Sequence, residues 1–209
     1  MIYCTVGYMP TVSAFTGECI TKQILEFNHK RLCGLWLMCI SGVLILSVIS
    51  SGRFLVNPFV FLIGYYACFF GINMNKNVRE KLSQGSISKF QIKMIGLSIA
   101  ALFLLMFFIA GSFIPGWHWR QIWLGVLLAT ALHFFVWAVI HGKSMIVLGE
   151  ICSLIAAVGY IFGDIPIWAV YTADAAAKMI CGVYMFKFSK PSKYVPKALG
   201  ETEKIRLKA

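Results

Sequence analysis

Six runs of about twenty mostly apolar residues leave this chain few ways to fold. They lie at about 32–51, 54–73, 93–114, 120–140, 144–163 and 166–187. A helix needs roughly 20 such residues to cross the hydrocarbon of a bilayer. Strand-type alternation is absent, so a membrane barrel is not expected. Composition points the same way: 59% of residues are hydrophobic and 13% charged, against roughly 45–50% and about 25% in a soluble domain. The sequence predicts an all-α, polytopic transmembrane bundle of six spans over 32–187. An N-terminal segment, 1–31, precedes it and a basic tail, 188–209, follows.

The first 19 residues hold no Lys or Arg. A secretory signal starts with a positive region before a short apolar core, so no cleaved leader is expected. In ITKQILEFNHKR (20–31), Ile20, Ile24 and Phe27 share one helical face. That spacing predicts a short amphipathic helix lying on the inner leaflet. The seven cysteines, at 4, 19, 33, 39, 68, 152 and 181, include no C-x-x-C pair and no metal-ligand spacing. Neither a disulfide framework nor a metal site is expected.

The net charge of +11 invites a nucleic-acid reading, but its placement argues against one. Sixteen of nineteen Lys and Arg fall on alternate segments: Lys22, Lys30 and Arg31, then the loop holding Lys76 to Lys93, then Lys143, then the tail from Lys187. The opposite segments hold only Arg53 and Arg120. Cytoplasmic loops carry the excess of Lys and Arg, which predicts cytoplasmic termini at both ends. Anionic lipid of the inner leaflet is the expected partner of this charge, and no nucleic acid is. Trp117, Trp119, Trp123 and Trp168 fall at the expected outer ends of spans, the level tryptophan favours.

Polar groups concentrate in the last three spans. Thr130, His133, Trp137 and His141 form one stripe on the fourth, Glu150 and Ser153 lie on the fifth, and Asp174 and Lys178 on the sixth. His141 is expected at the interface in contact with solvent. The short connection His141-Gly142-Lys143 makes spans four and five a hairpin, so residues can be counted inward from its turn. At 1.5 Å per residue, His133, Glu150 and Lys178 come to roughly one depth, about 10–14 Å in, with Asp174 one turn deeper. Gly149, Ser153 and Ala157, and likewise Ala169, Ala173, Ala177 and Cys181, repeat every four positions. Such stripes let membrane helices approach closely, and Glu150, Asp174 and Lys178 each follow a stripe residue by one.

Asp174 and Lys178 share a helix face and can neutralise each other. Glu150 then needs a partner of its own, Lys178 or His133, or remains a neutral acid. Intramembrane ionisable residues are functional candidates by default. His133, Glu150, Asp174 and Lys178 are therefore the candidate site for a proton or a small polar solute, with Thr130, Trp137 and Ser153 as secondary candidates. The competing reading is a charge-neutral staple that fixes packing in a membrane scaffold or accessory subunit. No G-x-S-x-G, H-E-x-x-H or phosphate-loop motif occurs, so an enzyme stays a third reading and no cofactor is expected. A single chain of this size is small for a complete permease, so a homodimer or a membrane partner is expected.

Three stretches carry a resemblance: NPFVFLIGYYACFF (57–70), KLSQGSISKFQIKM (81–94) and IWLGVLLATALHFFVWAVIHGKSMIVLG (122–149). Over about 28–187 the chain resembles a family of small bacterial integral-membrane proteins of unknown function. The resemblance implies a six-span protein of the bacterial cytoplasmic membrane and assigns no chemistry to any residue.

Overall fold

Helix α1 runs from Lys30 to Ile49 through an apolar segment. Three of its serines sit in the helix or at its end without breaking it: the Ser41, Ser47 and Ser50 hydroxyls each donate to the carbonyl four residues back. The chain then turns sharply, and Asn57 starts α2 (Pro58–Cys68). Its side chain accepts from the Phe59 and Val60 amides and donates to the Ser50 carbonyl at the end of α1. Proline in the first turn loses no hydrogen bond there. This cap fixes the start four residues later than the apolar run suggests.

The computed structural model describes residues 25–83, 85, 87–190 and 192–194. The remaining helices are α3 (Lys76–Leu82), α4 (Lys89–Leu105), α5 (Trp119–His141), α6 (Ser144–Ile161) and α7 (Ile167–Phe188). All belong to one compact unit, Glu26–Ser192. The other unit, Met1–Leu25 with Lys193–Ala209, lies almost wholly outside the described residues. Two three-residue strands, β1 (Leu25–Phe27) and β2 (Ser192–Tyr194), stand before and after the helices in sequence.

Helix α2 passes into a π turn over Phe69–Met74, and α3 follows at a bend of 63°. Asn75 accepts from the Asn77 and Val78 amides, which starts α3 afresh rather than extending α2. Ser88 and Gln91 form a reciprocal capping box at the start of α4. That helix ends in a π turn over Met106–Ala110. Gly125 of α5 lies against it, where an added Cβ would stand 2.8 Å from the Ala110 Cα.

Helix α1 packs along α7 and against α2, α5 pairs with α6 as a hairpin, and α6 also meets α7. Helix α4 rests on α5 and is otherwise exposed. Four helices are long and apolar enough to cross a membrane: Lys30–Ile49, Lys89–Phe113, Trp119–His141 and Ser144–Ile161. Counting the bent α2–α3 pair as one span gives five. Helix α7 has 22 residues but carries Asp174, Lys178 and Lys187, which lower its apolar character.

One expectation about the elements needs correction. In the described part of the segment expected as an inner-leaflet helix, 25–27 are extended and only Lys30 and Arg31 are helical, as the start of α1. Three apolar residues spaced four and three apart are too few to nucleate a helix alone. The rest of that segment, 20–24, lies outside the described residues. The second loop contains α3, whose Val78 and Leu82, four residues apart, pack against the core.

At the other end of the bundle, Arg120 ties α5 to the α6–α7 connection. Its guanidinium donates to the carbonyls of Ile165 (2.7 Å), Gly159 (2.9 Å) and Phe162 (3.2 Å). Gly159 lies in the last turn of α6, whose carbonyls have no partner within the helix, and Phe162 and Ile165 lie in the turn that follows. Replacing Arg120 with alanine is expected to lower stability by about 1.5–3 kcal/mol, since each partner is bonded to a charged donor. Thermal melting of the detergent-solubilised protein would read this, and Arg120→Lys should restore only part of it because a lysine cannot span three acceptors.

Candidate functional site

The buried face of α7 runs through Tyr171, Asp174, Ala175, Lys178, Gly182 and Met185. Asp174 is 0% exposed and Lys178 1%. The Lys178 ammonium donates to Asp174 Oδ2 in an ion pair one helical turn long. The same ammonium lies 5.7 Å above the centre of the Phe134 ring on α5, a distance at which a desolvated cation is attracted to the ring face. The Cys152 thiol of α6 stands beside the Asp174 carboxylate. Asp174 Oδ1 has no hydrogen-bond partner. The pair is thus enclosed by three helices, and the Cys152 thiol is the only further donor that interacts with the carboxylate among the described residues.

Tyr171, one turn before Asp174, holds α7 in rotation. Its hydroxyl donates to the Trp123 carbonyl (2.9 Å), and the Trp123 indole donates to the Phe54 carbonyl (2.9 Å). On the opposite flank, Gly34 of α1 and Gly182 of α7 touch backbone to backbone. A Cβ on Gly34 would lie 2.6 Å from the Gly182 oxygen, and one on Gly182 2.8 Å from the Gly34 oxygen.

The sequence-derived candidates do not all converge. Glu150 is exposed on α6 and does not meet the pair. The small-residue stripe beside it does pack, for Gly149 approaches the Ala131 carbonyl, Phe134 and Phe135 of α5. A step of one residue turns about 100° around the helix, and here that step leads outward. On α7 the same step leads inward: Ala173 is exposed while Asp174 is buried. The stripe that packs on α7 contains the charges themselves. Ser153 is half-buried with its hydroxyl unpartnered. Thr130 donates to the Val126 carbonyl of its own helix at 2.8 Å and is thereby occupied.

His133 is buried, with Nδ1 unpartnered, and its ring contacts Trp137. Trp137 in turn contacts His141 and Trp36. His141 is 7% exposed rather than solvated, because the start of α1 covers it; His29 and Lys30 lie near enough to act on its charge. His29, just before α1, shares a hydrogen bond with Ser83 at 3.0 Å. Burial lowers the affinity of the His29 imidazole for a proton; the Gly85 backbone opposes this and the Arg79 guanidinium adds to it.

The spacing of residues gave no signal for Cys152, Phe134 or Trp36. Each is an ordinary apolar residue of its helix in sequence, and only the packing of α1, α5 and α6 reveals what it faces. Among the described residues no group of three or more His, Cys, Asp or Glu is placed to hold a metal ion.

Fold and site together define an all-helical bundle with several helices that could span a membrane and a buried ion pair at their centre. The model of the family of unknown function DUF6609 matches residues 20–195, and the chain belongs to that family. The match reaches beyond 28–187 at both ends, so it takes in both β1 and β2. No curated protein and no solved structure is significantly similar to the chain.

Proposed function

We propose that the chain is a small integral protein of a bacterial cytoplasmic membrane that binds a proton or a small polar solute at Asp174 and Lys178. In this reading α1, α2 with its π turn, α4, α5, α6 and α7 are the six spans, and the basic segments keep both termini cytoplasmic. Large apolar side chains on the outside of the bundle favour a lipid surrounding: Leu46, Phe59, Phe103, Leu154 and Ile180 are 58–71% exposed. In water, apolar surface of this kind marks an interaction site or an aggregation liability.

The observation that carries the site is a fully buried carboxylate with an oxygen that no nitrogen or oxygen donor reaches, only the weak donor of the Cys152 thiol being at hand. Buried polar groups are nearly always bonded, and a carboxylate oxygen accepts from a proton donor such as water, an amine or a hydroxyl. Lys178 holds the carboxylate's charge, Cys152 and Phe134 shape its surroundings, and His133 is a second proton-exchanging group on α5. Glu150, on the outer face of α6, is assigned to contact with a second copy or a membrane partner. The rival is a scaffold in which the pair is a staple; in its favour, the pair is charge-neutral without any guest.

Cys152 reports directly on the difference. With the other six of the seven cysteines replaced by serine, Cys152 is expected to react with a small membrane-impermeant thiol reagent in intact vesicles. Reaction means that water reaches the carboxylate. Protection in the native protein with reaction after denaturation would mean a sealed interior, and the staple reading would replace this one.

A further inference from the structure

Among the described residues, Glu150 is the only exposed Asp or Glu within α1, α2, α4, α5, α6 or α7. It lies seven residues past Lys143, about 10 Å along the helix from the turn. It takes no part in either of the ion pairs among those residues, Lys76–Glu80 and Asp174–Lys178. An ionisable side chain at such a depth in a membrane helix almost always faces protein or water, because hydrocarbon offers it no partner.

The outer face of α6 has an order of its own. Leu148, Gly149, Cys152 and Ala156 are buried on the side turned to the bundle. On the opposite side Val147, Glu150, Leu154, Ala157 and Ile161 follow one another in steps of three, four, three and four. Val147, Leu154 and Ile161 are 53%, 67% and 72% exposed. Steps of this kind form the seam along which two helices pack for their whole length. Helix α4 gives the contrast. Its exposed side chains include Leu97, Phe103, Leu104 and Phe107, and it holds no acid at all. That face suits lipid; the seam of α6 carries a carboxyl in its middle.

This seam complements itself. A carboxyl group that holds a proton both donates and accepts, so two of them at one level satisfy each other. Copies of one chain insert in the same sense, and a two-fold axis along the membrane normal brings like residues to like depth. Leu154 then meets Leu154, and the small Ala157 lets the helices close beyond the acid. A foreign partner would need the same period and a polar group at the same level.

We propose that the chain forms a two-fold symmetric dimer through α6, in which the two Glu150 carboxyls hydrogen-bond to each other across the axis. The dimer rests on α6 being a membrane span, as in the reading above. It does not rest on any guest of Asp174 and Lys178, which lie toward the buried Cys152 side of α6.

The test uses the purified full-length protein, with one fluorophore per chain, in vesicles of phosphatidylcholine and phosphatidylglycerol. Photobleaching steps are counted as the protein is diluted in lipid. Wild type is expected to bleach in pairs. Glu150→Leu should shift the dilution midpoint about tenfold or more toward monomer, as loss of a polar contact between membrane helices does. Glu150→Gln should stay paired, since an amide also donates and accepts. Leu154→Cys, added to Cys4→Ser and Cys19→Ser, should join two chains on oxidation with copper phenanthroline, whereas Phe103→Cys on α4 should not. That comparison decides the matter if Glu150→Leu does not fold. Single steps for wild type at every dilution would overturn the proposal. So would an unchanged midpoint in Glu150→Leu, or equal cross-linking at the two cysteine positions. Washing native membranes with alkaline carbonate separates this failure from that of the membrane reading: a released chain is not an integral protein, and a retained chain that bleaches singly is a monomeric one.

Discussion

Asp174→Ala is expected to remove most of the folded protein. The substitution leaves the Lys178 ammonium 1% exposed with no counter-charge, and an orphaned buried charge destabilises by about 3–5 kcal/mol. Melting of the detergent-solubilised protein should drop accordingly, and Lys178→Met should fall by a similar amount for the mirrored reason. Joining Asp174→Leu to Lys178→Met should restore folding, because a buried pair exchanged for apolar residues of like size is often neutral. A single Asp174→Ala variant that melts with the wild type would mean that the pair does not sit in a dry interior. The double variant also divides the two functional readings: a scaffold keeps its full role with an apolar staple, whereas a proton or solute site folds and is empty.

The second large effect is expected at Gly34. A Cβ there would lie 2.6 Å from the Gly182 oxygen and 2.7 Å from the Phe186 amide nitrogen, both backbone atoms of α7. Backbone cannot rotate away as a side-chain tip can, so α1 and α7 must separate along their contact. Gly34→Val should destabilise on the order of 3 kcal/mol, at the upper end of overpacking, with Gly182→Val similar. Gly42 offers the control, since its added Cβ meets nothing within 4 Å; Gly42→Ala on the same helix should be neutral or gain slightly from helix propensity. Equal losses at Gly34 and Gly42 would mean that the close α1–α7 approach is not what holds these helices together.

Much of the architecture is legible in the sequence, because long apolar runs and helix caps are local signals. Pro58, Ser88 and Pro166 stand at helix starts, and α5, α6 and α7 begin and end within two residues of their apolar runs. The pair Asp174–Lys178 is equally local, since four residues along a helix are one turn. What fails is rotation. Glu150 and Asp174 each follow a small residue by one, yet one is exposed and the other buried. The small residue fixes that a neighbour is close, and the side on which a second neighbour stands decides where the next residue points. That side is a property of three helices at once. His141 shows the same limit: the end of α5 reads as an interface residue, and it is buried because α1 starts over it. The Gly34–Gly182 contact has no partner stripe of small residues on α1 and stays invisible until α1 and α7 are placed side by side.

The hydrogen bonds from Tyr171 to Trp123 and from Trp123 to Phe54 latch one end of the bundle. With Tyr171 fastened to the α5 backbone one turn from Asp174, α7 cannot swivel to present its carboxylate without breaking that bond. Arg120 braces the same end by gripping the α6–α7 connection. Helix α7 is thus fastened near both of its ends, by Tyr171 to the backbone of α5 at one and by the Gly34–Gly182 backbone contact to α1 at the other.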